Sequence, residues 1–443
     1  MRTRARVLPK NAARPVLPGV ESARLIYGNP IGKGCTPAPG GWPSQNRAGL
    51  YLYRVSSAAA DILPYDVAIV GAGPAGTACA LALRGRGLRV ALLDKATFPR
   101  DKVCGDAVPG HAFKALRQLD PAYVEALWQL EPRDDVRRSR LVAPNGGSFY
   151  MHWKLPAFNS PRLDFDAALL ALVRQHTTTG VFENAALKNI EITADYARLH
   201  LASGPEIRAS LVIGCDGANS VVGRRLLPEP RLARAYHSAG VRAYFENVAG
   251  AESGTTEFFF SRSHLAGYLW LFPVGAGRYN VGLGMLSELV SKHKIDLKKL
   301  LLEQLATHPG LASRFREARQ LGPIQGFGLP MGGGRQRPAS GARFMLCGDA
   351  ASLIDPLQGH GIDLAIRSGI MAAGQASDCF ARQDFSAEFM KSYDAELQRR
   401  LGPQLAHSFR LQRLLGTRPW LMNLGTRLAQ LPGLSGWVRR LVG

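Results

Sequence analysis

No two cysteines form a CxxC pair, and the six present (Cys35, Cys79, Cys104, Cys215, Cys347 and Cys379) lie far apart. No His/Cys cluster stands at metal-ligand spacing, which argues against a disulfide framework and a metal site, and for reduced thiols in a cytoplasmic compartment. No window reaches the roughly 18 apolar residues of a membrane-spanning helix. The opening MRTRARVLPKNAARPVLPG has charge but no apolar core of a secretion signal. Acid is scarce at both ends: residues 1–60 carry nine Lys/Arg against Glu21, and 396–443 carry eight Arg against Glu396, so the ends hold most of the net +21. The middle of the chain is only mildly basic and has no helix-turn-helix, zinc-finger or aromatic RNA-binding pattern. Nucleic acid is therefore not an expected partner.

What is present suits a folded enzyme. A chain of 443 residues, 46% hydrophobic, has length for several folding units and ample core. Residues 1–62, rich in Pro, Gly, Arg and Ser, read as a basic, disordered extension. From Tyr65 the texture changes. YDVAIVGAG is a strand-length apolar run, PAGTACALALRGRG is small and apolar at helical spacing, and LRVALLDK is a second strand. That is one βαβ unit with a parallel sheet. Residues 236–330 alternate like an antiparallel sheet, interrupted by a Lys-rich helix near 287–307, and no internal repeat is found.

In GAGPAG, Gly71 makes a tight turn, Gly73 lets the backbone approach a pyrophosphate, and Gly76, next to Ala75, allows close helix–strand packing. The helix N-terminus then faces the phosphates. Asp94 closes the next strand 18 residues after Gly76, beside Lys95, where an acid can accept from a ribose hydroxyl. CDGANS carries Asp216 and Gly217. CGDAASLIDPLQGHGIDLAIRSG carries Gly348, Asp349, Pro356, Gly359, His360, Gly361 and Ile362. Each follows a strand with an acid at its carboxyl edge, the ligand edge of an open parallel sheet. Asp349 is suited to a ribityl hydroxyl, and the QGHG turn to the pyrimidine edge of a flavin, where charge gathers on reduction.

With these three motifs in this order, residues 64–375 resemble the FAD-dependent oxidoreductases of the aromatic-hydroxylase superfamily. FPRDKVCGD, with Arg100, Lys102, Cys104, Gly105 and Asp106, is similar to the Lys-x-Cys-Gly-Asp/Gly loop of geranylgeranyl reductases. Flavin-dependent halogenases carry a related loop that continues Val-Gly-Glu-Ser. Tyr268, Trp270, Phe272 and Pro273, then eight residues to Gly282-Leu283-Gly284, match the reductase Tyr-x-Trp-x-Phe-Pro…Gly-x-Gly signature, which shapes the isoprenoid site there. Arg162 resembles the superfamily arginine that opens a helix near FAD. The bland readings stand beside these: three aromatics at period two also describe core, Cys104 a buried apolar residue, Arg162 a surface cap, and Arg100 and Lys102 holders of FAD or a substrate phosphate.

The resemblance implies an α/β fold: a Rossmann-like FAD-binding domain over 63–235 and 335–375, an inserted antiparallel-sheet substrate domain over 236–334, and a C-terminal helical region over 376–443. It implies a reductase saturating C=C bonds of an isoprenoid or polyene lipid, with Lys102, Cys104, Gly105 and Asp106 assisting catalysis. No second Gly-rich nucleotide turn appears, so NAD(P)H binds transiently or another donor supplies the electrons. The C-terminal Leu, Trp and Met interleaved with Arg suit contact with a membrane surface. The rivals are a monooxygenase or halogenase of the same superfamily, and a membrane electron-transfer flavoprotein or redox sensor.

Overall fold

A computed structural model of the chain describes residues 62–229, 232–261, 267–334, 337–418 and 420–430. In chain order it runs β1 (Ile62–Val70), α1 (Pro74–Ala82), β2 (Val90–Leu93), β3 (Ala107–Val108), α2 (Gly110–Leu119), α3 (Pro121–Leu127), β4 (Asp134–Val142) and β5 (Ser148–Asn159). Next come α4 (Arg162–His176), β6 (Gly180–Phe182), β7 (Leu187–Ile192), β8 (Ala197–Leu201), β9 (Glu206–Gly214), α5 (Val221–Leu226), β10 (His237–Glu246) and β11 (Thr255–Phe259). Then follow β12 (Gly267–Pro273), β13 (Arg278–Leu286), α6 (Ser287–Lys292), α7 (Leu297–Thr307), β14 (Arg319–Pro330), β15 (Ser340–Gly341) and β16 (Phe344–Leu346). Three helices close the described chain: α8 (Ile362–Arg382), α9 (Ala387–Thr417) and α10 (Trp420–Gln430).

The first sheet has the order β15-β16-β9-β1-β2-β6, with β7 and β8 attached beside β9. Its β16, β9, β1, β2 and β6 run parallel. These strands are nearly continuous apolar runs because both faces are covered. Val67, Ala68, Ile69, Leu92, Leu93, Leu211 and Ile213 are fully buried in one core with α1, α4 and α8. Small residues set the spacing of the helices. A Cβ on Gly369 of α8 would lie 2.2 Å from the Ala75 carbonyl oxygen of α1, and one on Gly76 would lie 1.9 Å from the Gly71 carbonyl oxygen.

The second sheet has the order β14-β10-β13-β12-β11-β4-β5-β3 and is antiparallel except where β4 meets β11. It corrects the expected division of the chain. Residues 107–108, 134–142 and 148–159, assigned by sequence to the cofactor domain, pair into the second sheet instead. Nothing local marks this, because the parallel pairing of β4 with β11 joins segments over a hundred residues apart. The sheet's lower face packs Leu269, Leu271, Val281, Leu283 and Val241 against Leu297, Leu301 and Leu305 of α7 in a second core. The Lys-rich helix expected near 287–307 is two helices, α6 and α7. The extension expected over 1–62 lies outside the described residues apart from Ile62, as do 431–443 of the C-terminal region.

The α1–α8 contact is testable. Gly369→Ala gains about 1 kcal/mol of helix propensity, whereas forcing two packed helices apart costs about 1–3 kcal/mol or more. The expected net result is a melting temperature lowered by several degrees in calorimetry. An unchanged or raised value would mean that α1 and α8 separate freely.

Candidate functional site

The site is built where the carboxyl edge of the first sheet meets the upper face of the second. β1 ends at Val70, and Gly71, with φ +105°, turns the chain against the Cys215 carbonyl, which a Cβ there would approach to 2.3 Å. Pro74 starts α1, and the residue before it, Gly73, offers no side-chain cap, so the first-turn N–H groups are left for a ligand. A Cβ on Gly73 would find as its nearest neighbours the guanidinium groups of Arg100, 3.6 Å away, and Arg162, 4.0 Å away.

Those two arginines share one buried acid. Asp166, fully buried, accepts from Arg162 Nε at 2.6 Å and Nη2 at 2.7 Å, and from Arg100 Nη1 at 2.9 Å. The Arg100 guanidinium also lies 4.7 Å over the Phe98 ring. Burial opposes the charge on Arg162, but Asp166 and the neighbouring Cys104 thiol outweigh it and hold its pKa above the usual arginine value. The two guanidinium groups lie beside Gly73, and their N–H donors suit a pyrophosphate. The reading of Arg162 as a surface cap is overturned by its burial, 2% exposed.

Asp94 accepts from the backbone N–H of Ala72 and of Ala96, both at 2.9 Å, and stands 3.6 Å from Arg100 Nη2. It staples the glycine turn to β2, and its oxygens retain lone pairs for a ribose hydroxyl. Lys95 is exposed and makes none of these contacts. Asp216 differs from its expected part: Oδ1 accepts from the Ser220 hydroxyl and Oδ2 from the N–H groups of Val221 and Val222, so the carboxylate is engaged by α5. Gly217, at φ +79°, turns the chain between them.

On the other side, Gly348, at φ +57°, brings the loop after β16 close to Ala365 of α8. Asp349 there pairs with Lys102 Nζ at 2.9 Å. The loop to α8 is held by Asp355, which accepts from the N–H groups of Leu357 and Gln358 and from the Ser408 hydroxyl. The Pro356 carbonyl accepts from Gln412 at 2.6 Å. Gly359 must be glycine: its φ is +68° and a Cβ would lie 2.5 Å from the Tyr268 hydroxyl, which donates to the Gln358 carbonyl. Gly361 precedes Ile362 as an uncapped N-terminus of α8. Burial works against the charge of His360, yet the Asp363 carboxylate 2.7 Å away pushes its pKa up to about 9. His360 is therefore an ion-paired part of the turn.

The aromatic face closes the site. Cross-strand register places Tyr268, Trp270 and Phe272 of β12 beside Gly284, Gly282 and Asn280 of β13. They belong to neither apolar core, since the alternate residues Leu269 and Leu271 face the core beneath α7. Trp270 needs Gly282, where a Cβ would lie 2.2 Å from its ring, while Gly284 sits 3.7 Å from that ring. A Cβ on Gly105 would meet the same rings, 3.4 Å from Phe272 and 3.7 Å from Trp270 Nε1. The Pro273 carbonyl is held by Asn159 at 2.8 Å.

Three residues that sequence reasoning missed hold the loop 100–106 in place. Asn280, fully buried, accepts from Trp270 Nε1 at 2.8 Å and donates to the Cys104 carbonyl at 2.8 Å and to Asp106 Oδ2 at 2.7 Å. Tyr244 donates to the same Oδ2 at 2.6 Å. Arg242 lies 4.3 Å over the Tyr244 ring and binds Asp101 at 2.8 Å. Asn280 was within reach of a period-two reading, two residues before Gly282. Tyr244 and Arg242 gave no local signal. Asp106 is fully buried, and its Oδ1 has no hydrogen-bond partner among the described residues. Burial pushes its carboxyl up to about 6, against the lowering pull of Tyr244, Arg242, Asn280 and Arg162.

A glycine turn with two paired cations, an acid-bearing second turn and an uncapped α8 fit FAD, and the fold and site define a FAD-dependent oxidoreductase. Comparison with known proteins specifies the class. Residues 237–318 match the geranylgeranyl reductase catalytic domain, and 65–220 a pyridine nucleotide-disulphide oxidoreductase domain. The chain is 34% identical to menaquinone reductase of Mycobacterium tuberculosis over 70% of its own length and 75% of that protein's. It is 27% identical to digeranylgeranylglycerophospholipid reductase of Methanocella arvoryzae, over 79% of this chain and 87% of that one. A geranylgeranyl bacteriochlorophyll reductase-like structure from Thermoplasma acidophilum superposes with a TM-score of 0.74 at 23% identity, over 86% of this chain and all of that one. A flavin-dependent brominase shares the fold at a TM-score of 0.69 and 21% identity, over 86% of this chain and 93% of that one. The chain belongs to the geranylgeranyl reductase family.

The buried carboxyl has a measurable consequence. Between pH 4 and about 6 the folded state keeps the Asp106 proton while the unfolded chain has lost it, so this group's contribution to stability falls as pH rises through that window. Above pH 6 the full penalty, at most about 3 kcal/mol, is present. Asp106→Asn escapes it. The melting temperature of the variant minus that of the wild type is expected to grow from pH 4 to pH 7; a difference flat with pH would mean that Asp106 ionises normally.

Proposed function

We propose that this enzyme saturates C=C bonds in the isoprenoid chain of a lipid. The observation that carries the reading is a row of apolar side chains across the upper face of the second sheet. In register, Phe149, Leu141, Phe258, Trp270 and Gly282 follow one another across five strands. Beside it Met151, Ser139 and Thr256 follow one another across β5, β4 and β11, and Phe272 pairs with Asn280 across β12 and β13. Trp153, two residues beyond Met151, donates to the Ser139 hydroxyl at 2.9 Å and is 38% exposed, as Leu155 is 37% exposed. This face thus leads from exposed Trp153 and Leu155 to the buried rings of Trp270 and Phe272. A flexible polyene gains from such a surface at about 25 cal/mol per Å² of apolar area removed from water.

FAD, when bound, supplies the hydride for the reduction. The chain's own work is to hold the double bond, exclude water and deliver a proton. Trp270 and Phe272 form the floor beneath the loop of Lys102 to Asp106. Lys102, tied to Asp349, links that loop to the cofactor edge, and Arg100 and Arg162 hold the pyrophosphate. The names of the relatives, menaquinone reductase and digeranylgeranylglycerophospholipid reductase, support an isoprenoid lipid. NAD(P)H bound transiently, or another donor, restores the electrons. No described helix is long and apolar enough to cross a membrane; exposed Trp420 and Leu424 on α10 suit a peripheral contact with the bilayer that holds the substrate.

The test is an anaerobic single turnover. The FAD-loaded protein is reduced chemically, mixed with geranylgeranyl diphosphate or menaquinone, and followed by flavin absorbance and product mass. A gain of about two hydrogens matched to each reoxidation is expected. Trp270→Ala is expected to lower the rate by roughly tenfold or more through loss of positioning. Reoxidation only in air, with an oxygen- or halogen-bearing product, would replace the reading with a monooxygenase or halogenase.

A further inference from the structure

We infer that Asp106 is the proton donor of the reduction, with Tyr244 and Asn280 as the residues that position it. The inference rests on the reductase reading above. Three features of the geometry carry it. First, among the described residues Asp106 is the one buried carboxylate with an oxygen that has no hydrogen-bond partner. Oδ2 is fixed by two donors, Tyr244 at 2.6 Å and Asn280 at 2.7 Å, which leaves Oδ1 to carry a proton. Second, Asp106 follows Gly105, where an added Cβ would be in contact with Phe272 and Trp270, and Asn280 ties Asp106, the Cys104 carbonyl and Trp270 into one cluster. The acid is thereby built into the aromatic floor. Third, Asp106 sits at φ +66°, a left-handed conformation uncommon for a residue with a side chain. Its carbonyl accepts from Ser160 N–H at 3.0 Å, so contacts from β10, β13 and the start of α4 hold it there.

Other carboxylates near the loop are engaged by cations, Asp101 by Arg242 and Asp166 by Arg100 and Arg162. Lys102 is paired with Asp349. Both oxygens of Asp216 hold α5, and both of Asp355 hold the turn before α8. Burial and Asp106 push the Tyr244 hydroxyl well above its usual pKa, which suits it to donating a hydrogen bond and not to releasing a proton. The groups facing Asp106 are Tyr244 and Arg242 from β10, Asn280 from β13 and Arg162 from α4. Burial favours the protonated carboxyl, and these partners stabilise the carboxylate once the proton has left, the balance a general acid working near neutrality requires.

The step balances. The π bond of the C=C breaks, one carbon takes the hydride that reduced FAD supplies, and the other forms a C–H bond as the Asp106 O–H bond breaks. With reduced FAD bound, it would supply the hydride and be oxidised as the double bond is reduced, and the carboxylate would have to be reprotonated before the next turnover.

The test uses FAD-loaded protein. Carboxyl carbon NMR of aspartate-labelled, substrate-free enzyme is expected to give one titration near pH 6 that disappears in Asp106→Asn and moves upward in Tyr244→Phe and in Asn280→Ala, each of which removes a donor to the carboxylate. In anaerobic single turnover with geranylgeranyl diphosphate or menaquinone, Asp106→Asn is expected to be slower by about 100-fold. The wild-type rate is expected to fall with pH above about 6, a limb absent from the variant. A variant within about threefold of wild type that keeps the wild-type pH limb overturns the inference. If the wild type reduces neither probe, the substrate reading has failed and the titration alone decides. A carboxyl near pH 4 that does not move in Tyr244→Phe overturns the assignment, and one near pH 6 that rises in both variants upholds it.

Discussion

The Asn280 amide is the contact on which the site depends. It is a neutral group buried where the loop after β2 crosses the second sheet, and it meets three partners at once: an indole, a backbone carbonyl and a carboxylate. A buried polar side chain without partners costs about 1–3 kcal/mol, and a fully satisfied one fixes a single arrangement. Asn280 has all but one of its capacities filled, so the Cys104–Asp106 segment cannot slide along the aromatic face without stranding several of them.

Around that contact the two sheets divide the work by the chemistry of their residues. The first supplies backbone N–H groups, glycines and paired cations, which bind phosphates and polar rings. The second supplies alternating aromatics over a separate apolar core, a surface suited to an apolar chain. The loop from Arg100 to Asp106 belongs to both. Its arginine faces the glycine turn, its lysine faces Asp349, and its last three residues lie over Trp270, Phe272 and Asn280. The brominase shares the fold.

Burial tunes charge in opposite directions within the site. Arg162 is buried but keeps its charge, because Asp166 supplies two hydrogen bonds. Asp106 is equally buried but receives its hydrogen bonds on one oxygen only, and its proton is held up to about pH 6. The difference lies in the number and placement of partners and not in depth.

The sequence by itself determined the cofactor edge. Gly71, Gly73 and Gly76 follow a strand and open a helix, and such backbone demands are local, so spacing alone reveals them. It also marked Tyr268, Trp270 and Phe272, since period two assigns them one face, although it could not say whether that face was core. Only the tertiary structure decided that. Leu269 and Leu271 turn to α7, which leaves the aromatics on the opposite face, and β4 and β5 extend that face toward Trp153. Tertiary structure also turned Asp216 to α5 and brought Tyr244, Arg242 and Asn280 to Asp106 across 138, 136 and 174 positions of sequence. Hydrogen bonds between such distant residues depend on strand register, which is set by the packing of whole faces and leaves no trace in the spacing of any one segment.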